Sequence, residues 1–185
     1  MPRHKYLPLL AFIVISLVFV PVFLNVRSAV AKVDLKAGKG EAVWFYRSCN
    51  DGQTSAVATW SVDLNPAVTN QTSLQMQVGN AYPGYQLHCT LYFANSGKLP
   101  FVVKDITVVN PNSNNLSLSA GVPAGEKGKI LQPCRSRPTW GVNPTSFPDA
   151  CQAKINFTLT IGPGAQENSR MDFAIQVRLE ERTDD

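Results

Sequence analysis

After its first five residues the chain has a single histidine, His88, and none of the motifs that would set it to catalytic work. No Gly-x-Ser-x-Gly elbow is present, so a Ser-His-Asp unit would need scattered residues, Ser96 or Ser73 with His88 and Asp105. No His-Glu-x-x-His or Cys-x-x-Cys occurs, and one imidazole falls short of a zinc or blue-copper ligand set. Asp-x-Asp-x-Asp loops are missing as well, which leaves Asn50-Asp51-Gly52 and Asp149 as weak calcium candidates. The remaining acids are spread over turns and strand ends instead of being paired as glycoside hydrolysis requires. No cofactor and no metal is implied, and an enzyme is the least supported class. Basic clusters are also lacking. The 17 Lys and Arg against 13 Asp and Glu include Arg3, Lys5 and Arg27 near the start, so the remainder is close to neutral. That balance leaves no electrostatic footprint for nucleic acid.

What the chain does have begins at its amino end. Arg3, His4 and Lys5 precede Tyr6–Val26, a stretch without charge. About 20 apolar residues suffice to span a bilayer, and export machinery reads such a segment behind a cationic end. Ala29-Val30-Ala31 supplies the small-x-small pattern of a signal peptidase site, with cleavage before Lys32. Residues 1–31 therefore read as a signal peptide or, uncut, as a hydrophobic helix that anchors the protein in a membrane. In both cases the following residues lie outside the cytoplasm, secreted or membrane-anchored.

All four cysteines, Cys49, Cys89, Cys134 and Cys151, fall in that exported part. An even count outside the cytoplasm reads as two disulfides. Three connectivities exist. Pairing Cys134 with Cys151 staples the loop carrying Pro138, Pro144 and Pro148, and leaves Cys49 for Cys89. Closing a loop of that size is worth roughly 3 kcal/mol on a chain-entropy model. Asn70, Asn115 and Asn156 each open an Asn-x-Ser/Thr triplet, which makes them glycosylation acceptors in a host that modifies exported proteins.

Period-2 alternation dominates after residue 40, and no 3.6-residue apolar stripe follows the leader. Ala153, Ile155, Phe157, Leu159 and Ile161 alternate with polar residues, as do Phe173, Ile175, Val177 and Leu179. Gly162-Pro163-Gly164-Ala165 between them continues neither strand, so 151–180 reads as a hairpin with a longer loop. Further strands are expected at 42–47, 60–64, 74–78, 87–93, 99–109, 116–120 and 127–131, with turns at Asn95-Ser96-Gly97 and Pro123-Ala124-Gly125. About nine strands with frequent turns predict an all-β fold, an antiparallel β-sandwich of immunoglobulin-like or jelly-roll type. A closed barrel is the other solution. The sandwich domain is expected over 41–182. Residues 32–40, with Val33 and Leu35 at strand spacing before Gly38-Lys39-Gly40, read as a linker, an ordinary first strand or an exchangeable strand.

Three segments carry a resemblance. Tyr82-Pro83-Gly84-Tyr85 leads through Phe93-Ala94-Asn95-Ser96-Gly97-Lys98-Leu99-Pro100 to Val108, a turn, strand, turn and strand in sequence. Together with Thr59–Leu64 and Glu167–Val177, this resembles the TasA/camelysin class of exported β-sandwich proteins. The four cysteines depart from that pattern, and the metalloprotease label of some relatives has no motif here. The resemblance implies a surface or matrix protein that assembles into fibres, in some of which one subunit's N-terminal strand completes the next subunit's sheet. An incomplete sheet exposes backbone donors and acceptors that an added strand satisfies.

The expected function is therefore a non-enzymatic extracytoplasmic protein with a structural or interaction role at the cell surface, such as a fibre subunit. Its partners would be copies of itself or other surface proteins, and the membrane if the leader stays. The alternative is a carbohydrate- or small-ligand-binding module. Of the three tryptophans, Trp140 in the proline-rich loop is the candidate surface contact, because rings stack on flat apolar sugar faces.

Overall fold

The alternating segments form β1 (Ser28–Ala37), β2 (Ala42–Asn50), β3 (Thr59–Leu64), β4 (Ser73–Gly79), β5 (Gln86–Asn95), β6 (Phe101–Val109), β7 (Leu116–Gly121), β8 (Ile130–Leu131), β9 (Gln152–Ile161) and β10 (Arg170–Glu181). The computed structural model describes residues 28–37, 41–53, 58–109, 115–165 and 170–182. The apolar leader expected before residue 28 lies outside the described residues. Among the described residues, no helix is long and apolar enough to cross a membrane.

Two sheets make a sandwich-like pair of layers, one ordered β3-β4-β1-β10-β6-β8 and the other β2-β5-β9-β7. Their apolar faces form one buried cluster. Val33, Val62, Met76 and Ile175 come from the first layer and Leu87, Leu91, Phe93 and Ile155 from the second. The period-2 sets are buried as a strand with one dry face demands, since successive side chains point to opposite sides.

Strand partners differ from local expectation. Consecutive strands alternate between the layers, and only β3 and β4 follow one another within a sheet. The hairpin expected over 151–180 is thus overturned: β9 pairs with β5 and β7, whereas β10 pairs with β1 and β6. Alternation sets which face of a strand is dry. It is equally satisfied when two dry faces lie side by side in one sheet or oppose each other across the core. The strand expected at 127–131 shrinks to Ile130–Leu131. Tight turns take the preceding residues, with Glu126 N–H on Pro123 O and Lys129 N–H on Glu126 O, through the positive φ of Gly125 and Gly128.

The first strand departs furthest. It begins at Ser28 and lies inside the larger sheet, antiparallel to β4 and parallel to β10. The expected antiparallel sandwich therefore contains a parallel pair, and the sheet takes in ten residues ahead of the expected 41–182 domain.

Asn95 ties the layers together at the end of β5. It is fully buried. Its Nδ2 donates to Leu99 O at 2.7 Å and Leu131 O at 2.9 Å, while its Oδ1 accepts from Gly97 N–H at 2.9 Å. One side chain thus shapes the crossing from β5 to β6 and holds β8 beside it. At the opposite end of β5, the buried Tyr85 hydroxyl donates to Asp51 Oδ2 at 3.1 Å. Burial, then this hydrogen bond, push the phenol above its ordinary value.

Asn95→Ala removes three hydrogen bonds, one of them to the buried carbonyl of Leu131. It is expected to cost about 2–3 kcal/mol, read as a melting temperature lower by about 5–10 °C in circular dichroism. For Tyr85, a folded-state pKa above the unfolded one means stability is full below about pH 10 and is lost as pH rises further. Urea unfolding should show that alkaline loss in the native chain and a weaker one in Tyr85→Phe, which begins about 1 kcal/mol less stable at neutral pH.

Candidate functional site

The slot that holds β1 is the most distinctive site in the fold. Along one side β1 pairs with β4 from Ala29↔Val78 to Asp34↔Ser73. Along the other it pairs with β10 from Ser28↔Arg170 to Ala37↔Leu179. Val33 and Leu35 point into the core, while Lys32 is exposed. Complete burial of two such side chains is worth roughly 1.5–3 kcal/mol each.

The smaller layer also reaches the slot. Trp44 of β2 stacks edge-on to Phe93 at 5.5 Å, and its indole N–H donates to Val33 O at 3.2 Å. Leu35 N–H donates to Thr72 O and Trp44 N–H to Gln71 O, both at 2.9 Å. Gln71 is held at a φ of 59°, in the left-handed region that non-glycine residues seldom occupy. Asn70 supports that bend, its Oδ1 accepting from the Thr72 hydroxyl at 2.6 Å. The slot is therefore built from two strands, one indole and a strained turn.

The expected cleavage residues sit in this strand. Ala29 is opposite Val78 and Met171, and Ala31 is opposite Met76 and Phe173. A cut after Ala31 would leave Lys32–Ala37 in the slot and remove four residues of pairing with β10. Gly38-Lys39-Gly40 lies outside the described residues.

The cysteines pair as Cys49–Cys89 and Cys134–Cys151. The first bridge crosses β2 and β5 at directly opposed positions. The second closes the proline-rich loop over the end of the smaller layer, with Cys134 N–H on Asn95 O. Trp140 in that loop is half-buried and packs against the core cluster. Its neighbour Gly141 donates N–H to Phe45 O at 2.7 Å, which draws the loop down onto β2.

The scattered catalytic candidates are not brought together. His88 stands on the exposed side of the smaller layer, bonded to the Thr158 hydroxyl at 2.9 Å. Ser73 and Asp105 belong to the larger layer, and the Ser96 hydroxyl donates to Glu41 O. The calcium candidates are engaged: Asp51 holds Tyr85 and Gln53 N–H, and Asp149 accepts from Lys129 Nζ at 3.1 Å. Among the described residues, no group of three or more His, Cys, Asp or Glu is placed to hold a metal. Of the glycosylation candidates, Asn70 and Asn156 are exposed and Asn115 is half-buried.

Two features escaped the sequence reading. One is the extension of β1 back to Ser28, signalled only by Ala29 and Ala31 continuing the spacing of Val33 and Leu35. The other is a β-bulge in β2, where the register shifts between Trp44 and Tyr46. It lets Phe45 pack on Phe147 under the loop while Tyr46 packs on Tyr92. Compared with known proteins, the chain matches no family model and no curated protein.

Trp44→Phe keeps the ring contact with Phe93 but leaves Val33 O without its indole donor. The expected result is a loss of about 1 kcal/mol, with faster hydrogen exchange in residues 28–37 than in β5 or β9. Uniform acceleration across both layers would remove the indole's specific role in seating β1.

Proposed function

We propose that this chain is a non-enzymatic, extracytoplasmic β-sandwich protein of the cell surface, a subunit that joins its neighbours by lending them its first strand. The observation that carries this reading is the place of β1, the first described strand, in the interior of the larger sheet. Because β1 precedes every other described strand, it can leave the slot without unthreading any connection between them. Its departure would expose the edges of β4 and β10, and the same strand of another copy has the right sequence to fill them.

The two disulfides point to an oxidising compartment, as a surface protein requires. They also bridge only the smaller layer and its loop, so no sulfur bond ties β1 in place. The apolar leader would hold the subunit at the membrane if kept and release it if cut. The TasA/camelysin resemblance of the turn-and-strand segments suits the same reading.

Lys32 and Gln75 are opposed in β1 and β4, so a Lys32→Cys, Gln75→Cys variant reports which molecule fills each slot. Oxidised at increasing concentration, it should give a ladder of disulfide-linked oligomers on a non-reducing gel. Cross-linked monomers alone at every concentration would overturn strand exchange.

A further inference from the structure

The exposed face of the smaller layer, away from the β1 slot, is organised in rows. Strand register sets Asn50, His88, Thr158 and Ser119 side by side, and then Ser48, Thr90 and Asn156 in the next row. Thr90 donates its hydroxyl to Asn156 Oδ1 at 3.0 Å, parallel to the His88–Thr158 contact. Neither row contains Lys, Arg, Asp or Glu. The third row changes character, with Tyr46 and Tyr92 edge to face at 5.8 Å and Lys154 beside Tyr92.

Two clefts lie along these rows. One of about 350 Å³ is lined by His88, Thr90, Asn156 and Thr158 with Ser48 and Asn50. The other, about 300 Å³, lies between Tyr92, Phe147, Gln152 and the turn at Pro144. From His88 to Ala94 along β5 the two cover about 20 Å, at roughly 3.4 Å per residue. The second cleft contains an unused acceptor. Gln152 is 7% exposed, and its Nε2 donates to Pro144 O and Phe147 O. Its buried Oε1 has no partner among the described residues. A buried acceptor left bare costs about 1–3 kcal/mol, and a ligand hydroxyl would reach it only once the Gln152 side chain turned outward. The carboxylates at the rim, Glu126 and Asp149, are already bridged by Lys129 at 3.2 and 3.1 Å.

We propose that this face binds a linear, uncharged polysaccharide. Hydroxyl, amide and imidazole groups in rows offer donors and acceptors to sugar hydroxyls. Tyr92 and Tyr46 offer ring surface to the apolar faces of pyranose units. The first two rows, without charge, match a neutral chain; the third adds one cation, Lys154, set at a cleft that Glu126 and Asp149 also line. The groove takes Pro144 and Phe147 from the proline-rich loop but not Trp140, and it is separate from the β1 slot, so it stands or falls independently of strand exchange.

The test is retention of the full-length, disulfide-bonded protein, made in a host that does not glycosylate it, on columns of immobilised dextran, mannan, galactan and alginate. Retention on at least one neutral matrix is expected, with none on alginate. Tyr92→Ala should weaken it about tenfold, and Ser48→Lys, at an exposed position, should weaken it while leaving the melting temperature unchanged. Trp140→Ala should bind as the native chain does. No retention on any neutral matrix overturns the proposal. So does retention that survives both Tyr92→Ala and Ser48→Lys, retention lost only in Trp140→Ala, or binding to alginate alone.

Discussion

The larger sheet is continuous only because β1 stands between β4 and β10. Take it away and two pieces remain, β3-β4 on one side and β10-β6-β8 on the other, each with an unpaired edge facing the gap. The pairing with β10 joins the first described strand to the last, so Val33 meets Ile175 only after nearly the whole chain has been placed. Contacts so far apart in sequence carry the largest loop-closure cost and form slowly. The smaller layer has no such dependence. Its strands β2 and β5 are bridged by Cys49–Cys89, and its covering loop is closed by Cys134–Cys151. One layer is thus covalently secured, while in the other the seat of β1 rests on hydrogen bonds, two buried aliphatic side chains and one indole.

That asymmetry explains which parts of the fold could be read from the sequence. Dry faces were legible wherever period 2 was unbroken, and Leu74, Met76, Val78, Ile155, Leu159, Ile175 and Val177 are buried. Pairing was not legible. Gly162-Pro163-Gly164-Ala165 marks a chain reversal, but a reversal across the core and a reversal within a sheet have the same local signature. The start of β1 was hidden for a different reason. Ala29 and Ala31 suit both the small-residue rule of a peptidase site and an alternating strand, and only the partners Val78, Met76, Met171 and Phe173 separate the two.

The candidate sites show the same division between local and long-range information. The proline-rich loop between Cys134 and Cys151 was legible from its composition, and its bridge with it. Trp140 looked like a loop residue with a free ring. The backbone bond from Gly141 to Phe45 and the burial of Pro138 pull that loop onto β2 and turn the ring toward the core. His88 was legible as an outward residue of its strand, but not as a neighbour of Thr158, which register alone supplies. Asn95 was visible only as a turn residue. Its three hydrogen bonds to Gly97, Leu99 and Leu131 make it a structural centre that no local pattern announces.

The two layers offer different means of recognition. The proposed strand exchange would act through the backbone edges of the larger sheet, where sequence specificity is low and register comes from Val33, Leu35 and the Trp44 indole. The proposed ligand recognition on the smaller sheet would act through side chains, where register places neutral polar groups in rows and the bulge at Phe45 sets Tyr46 against Tyr92. The bridge between Cys49 and Cys89 joins β2 to β5 at the level of those rows and holds their register. A molecule arranged in this way can join copies through one layer without disturbing the surface it presents from the other.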